Sequence, residues 1–160
     1  MPWLKPGLLR WLGLAAIVIA ADQASKSWML SFLGHGESVT VTGFFDLVLV
    51  FNRGAAFSFL SSASGWQRWF FVFLAMAISA WILVMLTRHA AERLLPLALA
   101  LVLGGALGNV IDRLVYGAVV DFLSFHLGEH YWPAFNVADS AISIGVILML
   151  WQQFMGGKSP

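Results

Sequence analysis

The chain has no cysteine and few charged residues, and each shortage excludes a class of protein. Without cysteine there is no disulfide, no thiol nucleophile and no thiolate metal site. Charged residues make up 11% of the 160 residues, against about 25% in a soluble domain. So little charge cannot cover a water-exposed surface, and 60% of the chain is hydrophobic, so the composition indicates an integral membrane protein. The net charge of +1 gives no reason to expect nucleic acid as a partner.

Histidine is also too sparse to indicate a metal site. Only His126 and His130 are spaced four residues apart, in a segment that need not be helical. Polar residues at a membrane interface explain this pair more simply than metal ligands do. We therefore expect neither a metal nor a cofactor.

Four apolar runs approach the roughly 20 residues that a membrane-spanning helix needs. They predict helices at about 8–30, 69–86, 94–111 and 137–154 in a single polytopic membrane domain. An alternative for the first run is a cleavable signal peptide, because it has a basic start and small residues near its end. Apolar residues resume after Lys26, which favours a retained helix.

The loops predict which side of the membrane each end of the molecule faces. Five basic residues fall on the side that holds both termini, which the positive-inside rule makes cytoplasmic: Lys5, Arg10, Arg88, Arg93 and Lys158. The longer loops, at about 31–68 and 112–136, are then extracytoplasmic. In the first of them, residues 38–42 alternate in polarity and residues 44–51 are rich in β-formers, with Gly43 between. We predict a mainly α fold with a small extracytoplasmic β-sheet between helices 1 and 2.

Several polar side chains lie within or beside these apolar runs, where they are costly. Asp22 and Lys26 share one face of the first helix, either as a self-neutralising pair or as a brace for a neighbouring site. Asn109, Asp112 and Arg113 share a face of the third helix after three glycines. This face is either a hydrogen-bonded helix seam or a site in which Arg113 positions an acidic or carbonyl group.

Two aspartates, Asp121 and Asp139, are predicted to reach the same outer interface. Asp121 lies in a short apolar run, and Asp139 follows Asn136 at the start of the fourth helix, where either residue could be an N-cap. A pair of carboxyl groups can hydrolyse a peptide bond without a metal, one as base and one as acid. A proton or ion relay is an alternative, as is a structural scaffold, but a relay requires polar groups through the full membrane depth.

The sequence resembles the bacterial lipoprotein signal peptidases, also called signal peptidase II. Five stretches carry the resemblance over nearly the whole chain and in the family's order: residues 22–26 (DQASK), 52–57 (NRGAAF), 104–113 (GGALGNVIDR), 119–122 (VVDF) and 135–140 (FNVADS). The one departure is Ser25, where the family often has threonine, and it keeps the hydroxyl.

The resemblance implies an intramembrane aspartyl endopeptidase of the bacterial inner membrane that is blocked by the peptide antibiotic globomycin. Its substrate would be a diacylglyceryl-modified prolipoprotein, cut just before the lipidated cysteine, and we expect a monomer whose other partner is membrane lipid. The family's catalytic pair falls on Asp121 and Asp139. Its substrate-binding and supporting residues fall on Asp22, Lys26, Asn52, Gly54, Asn109, Asp112, Arg113, Asn136 and Ala138.

Overall fold

The computed structural model describes residues 6–54 and 65–156. Four helices are present: α1 (Pro6–Phe32), α2 (Trp66–His89), α3 (Leu94–Tyr116) and α4 (Val137–Gly156). All four are long and apolar enough to cross a membrane, which confirms the four predicted helices. The third helix extends five residues past its predicted end at Ile111, so Asp112 and Arg113 lie on the helix rather than in the loop.

The central helix is α3, which packs against the other three and is the most buried of the four. Glycines allow this close approach. Gly104 faces α1, where an added Cβ would lie 2.8 Å from the carbonyl oxygen of Ala15. Gly105 faces α4, where an added Cβ would meet the carbonyl oxygen of Ala138. Small residues at these two faces let the helix backbones contact each other directly.

A four-stranded antiparallel sheet lies beside one end of the helices. Its strands, in spatial order, are β1 (Ser38–Thr42), β2 (Phe45–Asn52), β3 (Val119–Leu127) and β4 (His130–Tyr131). The predicted sheet between helices 1 and 2 is confirmed by β1 and β2. The sequence did not predict β3, because its first four residues are all buried and show no alternation between a polar and an apolar face.

Two apolar clusters pack along α1, with polar residues between them. One cluster includes Leu8 and Ala15 and lies among α1, α2 and α3. The other includes Met29 and Leu33, which pack against β2 and β3. Asp22 and Lys26 fall between these clusters along the helix, and both are buried. The buried polar groups of the helices therefore concentrate toward the sheet.

Candidate active site

The site forms where β3, the sheet-side halves of α1 and α3, and the start of α4 meet. An isolated bridge pairs Leu123 of β3 with Phe135, and three backbone hydrogen bonds accompany it. This bridge holds Asn136 beside Asp121. The antiparallel register of β2 and β3 places Val50 opposite Asp121, so that Asn52 at the end of β2 reaches the same carboxylate.

Lys26 is the centre of a buried ion cluster. Its Nζ lies 2.8 Å from Oδ2 of Asp22 and 2.6 Å from Oδ2 of Asp112, and only 2% of its side chain is exposed. Its third hydrogen bond goes to Oδ1 of Asn109 at 3.0 Å. A buried ammonium requires this degree of pairing, since desolvation costs several kcal/mol per ion. The predicted pairing of Asp22 with Lys26 is confirmed, and it joins α1 to α3.

These two carboxylates also hold the start of α4 and β3 in place. Oδ1 of Asp22 accepts a hydrogen bond from the backbone N–H of Ala138 at 2.9 Å. Oδ2 of Asp112 accepts one from the backbone N–H of Val120 at 3.1 Å. Asp22 and Asp112 therefore connect the lysine to the backbone of the residue directly before each of the two candidate catalytic residues.

Two asparagines connect this cluster to Asp121 and Asp139. Asn109 donates to Oδ1 of Asp139 at 2.8 Å. Asn136 donates to Oδ1 of Asp121 at 2.8 Å, and its own Oδ1 accepts from the backbone N–H of Asp139 at 2.9 Å. Asn136 is thus the N-cap of α4, which confirms that alternative for this residue, and it also contacts both aspartates.

The carboxylate of Asp121 is buried and receives an N–H on each oxygen. Asn136 binds Oδ1, while Asn52 donates to Oδ2 at 3.0 Å. The pKa of Asp121 is raised to about 7, first by burial and then by the negative charge of Asp139. The two amide donors oppose this rise. A carboxyl group with a pKa this far above its usual range is a candidate for an acid–base role.

A cavity of about 600 Å³ opens beside these residues. Five of the predicted site residues line it: Asn52, Gly54, Asn109, Arg113 and Asp139. Asp121 is 2% exposed and is not part of the lining, but Asn52 joins it to the cavity wall. Asp22, Lys26, Asp112, Asn136 and Ala138 are buried behind the wall. The structure therefore separates the predicted set into residues that face the cavity and residues that hold them.

Arg113 reaches across the cavity wall toward the end of β2. Its guanidinium donates to the carbonyl oxygens of Asn109 at 3.4 Å and Gly54 at 3.5 Å, and it lies over the ring of Phe71 at 5.0 Å. Residues 55–57 of the NRGAAF stretch lie outside the described residues.

Two further residues contribute to the site and were not singled out from the sequence. Gln23 donates to Oδ1 of Asp112 at 2.8 Å and to Oδ2 of Asp22 at 3.2 Å, which ties these two carboxylates together. Its position next to Asp22 within an apolar helix could have identified it. Trp132 lines the cavity, and its place in a loop did not mark it as part of a site.

The histidines are remote from this network. Nε2 of His126 lies 3.4 Å from Oδ2 of Asp46, and its ring stacks on Tyr131. Within residues 6–54 and 65–156, no group of three or more histidine or acidic side chains is arranged to hold a metal ion. The buried acids near the cavity are instead paired with lysine and amide donors.

Fold and site together define a polytopic membrane protein with two linked carboxylates beside a cavity. Two solved structures share the fold, each described as a bacterial membrane enzyme structure determined by the in meso method. The one at 2.3 Å resolution has a TM-score of 0.83 and 30% identity, covering 93% of this chain and 90% of that one. The one at 1.9 Å resolution has a TM-score of 0.78 and 31% identity, covering 90% and 92%.

The chain belongs to the signal peptidase II family, whose model, described as Signal peptidase (SPase) II, matches residues 14–155. The lipoprotein signal peptidase of Azoarcus sp. (strain BH72) is 62% identical over 151 residues, which cover 94% of this chain and 86% of the relative. That of Ralstonia nicotianae is 58% identical over 144 residues, covering 90% and 83%. The resemblance seen in the sequence is confirmed. This membrane protein is a peptidase of the class that processes lipoproteins.

Proposed function

We propose that this chain is an aspartyl endopeptidase that cleaves diacylglyceryl-modified prolipoproteins just before the lipidated cysteine. Asp121 and Asp139 are its catalytic pair. The observation that carries the proposal is Asn136, which donates to the carboxylate of Asp121 and accepts from the backbone of Asp139 at 2.8 and 2.9 Å. One side chain thereby holds both acids together beside the cavity, on separate elements that only the folded chain brings into contact.

The chemistry requires one carboxylate and one carboxylic acid. The ionised group removes a proton from water, and the water oxygen attacks the scissile carbonyl carbon. The protonated group donates to the carbonyl oxygen, after which the C–N bond breaks and the leaving amine takes up a proton. The raised pKa of Asp121 supports this arrangement, because a pair in which each charge opposes the other ionises only once near neutral pH.

The remaining predicted residues divide into two roles in this proposal. Asn52, Gly54, Asn109 and Arg113 line the cavity and contact the substrate backbone. Behind them, five buried residues hold the pair in position: Asp22, Lys26, Asp112, Asn136 and Ala138. Globomycin would inhibit by occupying the same cavity.

The lipid on the substrate also has a physical role. Ser143 and Ile144 of α4 line the cavity and are exposed on the helix surface, so the cavity extends to the flank of the bundle. Two acyl chains in the adjoining bilayer would hold the scissile bond at a constant depth. Binding energy from these remote groups then helps to position the reacting bond.

In the bacterial inner membrane, the sheet and the cavity face the periplasm, and both termini face the cytoplasm. The basic residues Arg10, Arg88 and Arg93, all exposed at the end remote from the sheet, support this orientation. The enzyme works as a monomer with its lipidated substrate and surrounding lipid.

A cleavage assay in detergent or lipid tests the proposal. A diacylglyceryl-modified prolipoprotein is incubated with wild type, Asp121→Asn, Asp139→Asn and a control, Asp46→Asn, and the product is detected by gel shift. Asp46 is a suitable control because it is a buried acid on the same sheet, paired with His126 away from the cavity. We expect wild type and the control to cleave and both site variants, folded as judged by thermal melting, to lose activity by at least about 10³-fold.

Other outcomes would contradict different parts of the proposal. Cleavage by folded Asp121→Asn or Asp139→Asn would show that the catalytic residues are wrong. If wild type leaves the substrate intact, the proposed reaction is wrong. Lack of cleavage by wild type, together with unchanged function of both site variants in cells, would favour a scaffold, in which charge-neutral replacements are harmless.

A further inference from the structure

Three asparagine side chains around the candidate catalytic pair each direct the NH₂ group at a carboxylate of that pair. An amide accepts at one end and donates at the other, so its rotation decides which end meets a neighbour. Oδ1 of Asn52 accepts from the backbone N–H of Gly54 at 3.0 Å, which turns its NH₂ group to Asp121. Oδ1 of Asn136 accepts from the backbone N–H of Asp139, which likewise turns its NH₂ group to Asp121.

The third amide is oriented by a charged side chain rather than by the backbone. Oδ1 of Asn109 accepts from Nζ of Lys26 at 3.0 Å, and its NH₂ group donates to Oδ1 of Asp139 at 2.8 Å. An ammonium group can only donate, so the reversed amide would place two donors against each other at Lys26 and two acceptors against each other at Asp139. Lys26 therefore selects one of the two amide orientations, and the NH₂ group of Asn136, 3.3 Å from Oδ1 of Asn109, favours the same one.

We propose that Lys26 is a positioning residue for the reaction, because it fixes the amide of Asn109 so that an N–H donor always faces Asp139. The inference rests on the proposed function of Asp139 as one of the catalytic pair. With Asn52 and Asn136, this arrangement gives each carboxylate an N–H donor whose direction is set before the substrate arrives. Such preorganised donors act strongly in a site that excludes water.

Lys26 is suited to this role because its charge is already balanced. Asp22 and Asp112 take two of its three N–H donors at 2.8 and 2.6 Å, which leaves the third for Asn109. Gln23 provides a natural comparison, since it donates to the same two carboxylates and to the carbonyl of Gly108. Lys26 and Gln23 thus share the ion cluster, but Lys26 is the one whose described contacts extend to Asn109.

The direction of the Asn109 amide can be tested with a nearly isosteric change. Asn109→Asp keeps an oxygen for Lys26 but presents a second oxygen, rather than an N–H, to Asp139. We expect kcat at neutral pH to fall roughly 10- to 100-fold, the value of a hydrogen bond to a charged group. At lower pH the new carboxyl group becomes protonated and donates an O–H, so its deficit relative to wild type should shrink.

Asn109→Leu is the matched comparison, because leucine is similar in size and has no donor at any pH. Its deficit should stay constant as the pH falls. Parallel pH profiles for Asn109→Asp and Asn109→Leu, or a wild-type kcat for Asn109→Asp at neutral pH, would overturn the inference. The ionisable groups around this position in the described structure come from four elements: Asp22 and Lys26 of α1, Asp112 and Arg113 of α3, Asp121 of β3 and Asp139 of α4. All of them are common to the two variants, so a difference between the profiles originates from the carboxyl group introduced at position 109.

Variants of the lysine separate positioning from stability. In Lys26→Gln the new amide can turn either its oxygen or its NH₂ group toward Asn109, whereas Lys26→Arg has only N–H donors. Gln23→Leu weakens the same ion cluster without changing a contact to Asn109. Per folded molecule, we expect Lys26→Gln to lower kcat more than it changes KM, Lys26→Arg to recover most of kcat, and Gln23→Leu to keep the wild-type pH profile. If Lys26→Gln only lowers the melting temperature and keeps the wild-type kcat, Lys26 is structural and the inference is wrong.

Wild-type cleavage and its loss in Asp121→Asn are measured in the same assay. They report on the proposed reaction independently of Asn109 and Lys26. A failure of the amide inference is therefore distinct from a failure of the peptidase proposal.

Discussion

Asp121 is an acid in an otherwise apolar stretch of β3, and its burial couples protonation to folding. Its pKa is raised from 3.8 to about 7, first by burial and then by the charge of Asp139. Asn52 and Asn136 oppose this rise by donating to its two oxygens. The folded protein therefore binds a proton on Asp121 more tightly than the unfolded chain does, which has a measurable consequence for stability.

We predict that this carboxyl group makes the folded protein less stable as the pH rises from about 4 to about 7. Because the folded pKa lies above the unfolded one, the stabilising contribution is complete below about 4 and is lost as the pH passes through about 7. The slope for one such group is about 1.4 kcal/mol for each pH unit. Thermal melting in detergent across this range measures it.

Asp121→Asn should flatten the stability profile between these pH values, since asparagine does not titrate. Asp46→Asn serves again as the control, because it removes a buried acid of the same sheet without touching the pair. A slope that is the same in wild type and Asp121→Asn would place the titrating group elsewhere.

The sequence predicted the apolar setting of Asp121 but not its hydrogen-bond partner Asn52. The apolar neighbours on either side indicated only that the carboxylate is not a free surface charge. Its contact with Asn52 depends on the pairing of β2 with β3, whose register shifts between Leu47 and Val50. A bulge of this kind has no marker in the sequence, so the partner could not be predicted from spacing.

At the scale of the helices, α3 is held by direct backbone contact with its neighbours. Gly105 is the tightest point on the α4 side, where an added Cβ would meet the backbone of Ala138 and lie 2.7 Å from Cγ1 of Ile142. Ala138 in turn donates its N–H to Asp22. Separation of α3 from α4 would therefore also displace the start of α4, which carries Asn136 and Asp139.

We predict that Gly105→Ala lowers the stability by about 1–3 kcal/mol, because the added methyl group has no space and the helices must shift. Gly13→Ala is the control: nothing lies within 4 Å of its Cβ position on α1, and alanine favours a helix over glycine by about 0.5–1 kcal/mol. Gly105→Ala should also reduce cleavage, since it moves the Asp139 backbone. Equal melting temperatures for the two variants would show that the seam tolerates a methyl group.

The three glycines at positions 104, 105 and 108 predicted close helix packing but not the partner of each residue. Adjacent glycines on a helix point in different directions, and Gly104 contacts α1 while Gly105 contacts α4. One short sequence therefore serves two interfaces. Which helix lies on which side is a property of the assembled bundle, so local periodicity could not supply it.

For the whole molecule, the buried polar groups that form the site are concentrated toward the sheet. Asp22, Lys26, Asn109, Asp112, Asp121 and Asn136 are all buried there, whereas Leu8, Ile82 and Leu99 belong to the apolar cluster of the remote end. A path of ionisable groups through the full depth, as a proton or ion relay requires, is not seen among residues 6–54 and 65–156. This asymmetry suits a reaction at one membrane face, and it follows from five sequence stretches that individually indicated little.

The proposed orientation makes a prediction that the lack of native cysteine allows to be tested cleanly. Thr40→Cys places one thiol on the exposed face of β1, and Ala91→Cys places one in the exposed turn between α2 and α3. If the sheet faces the periplasm, a membrane-impermeant maleimide added to cells with a permeable outer membrane should label Thr40→Cys. Ala91→Cys should react only after the inner membrane is opened, and wild type should not react at all. The reverse pattern would place the candidate active site on the cytoplasmic side, where the proposed processing of an exported lipoprotein could not occur.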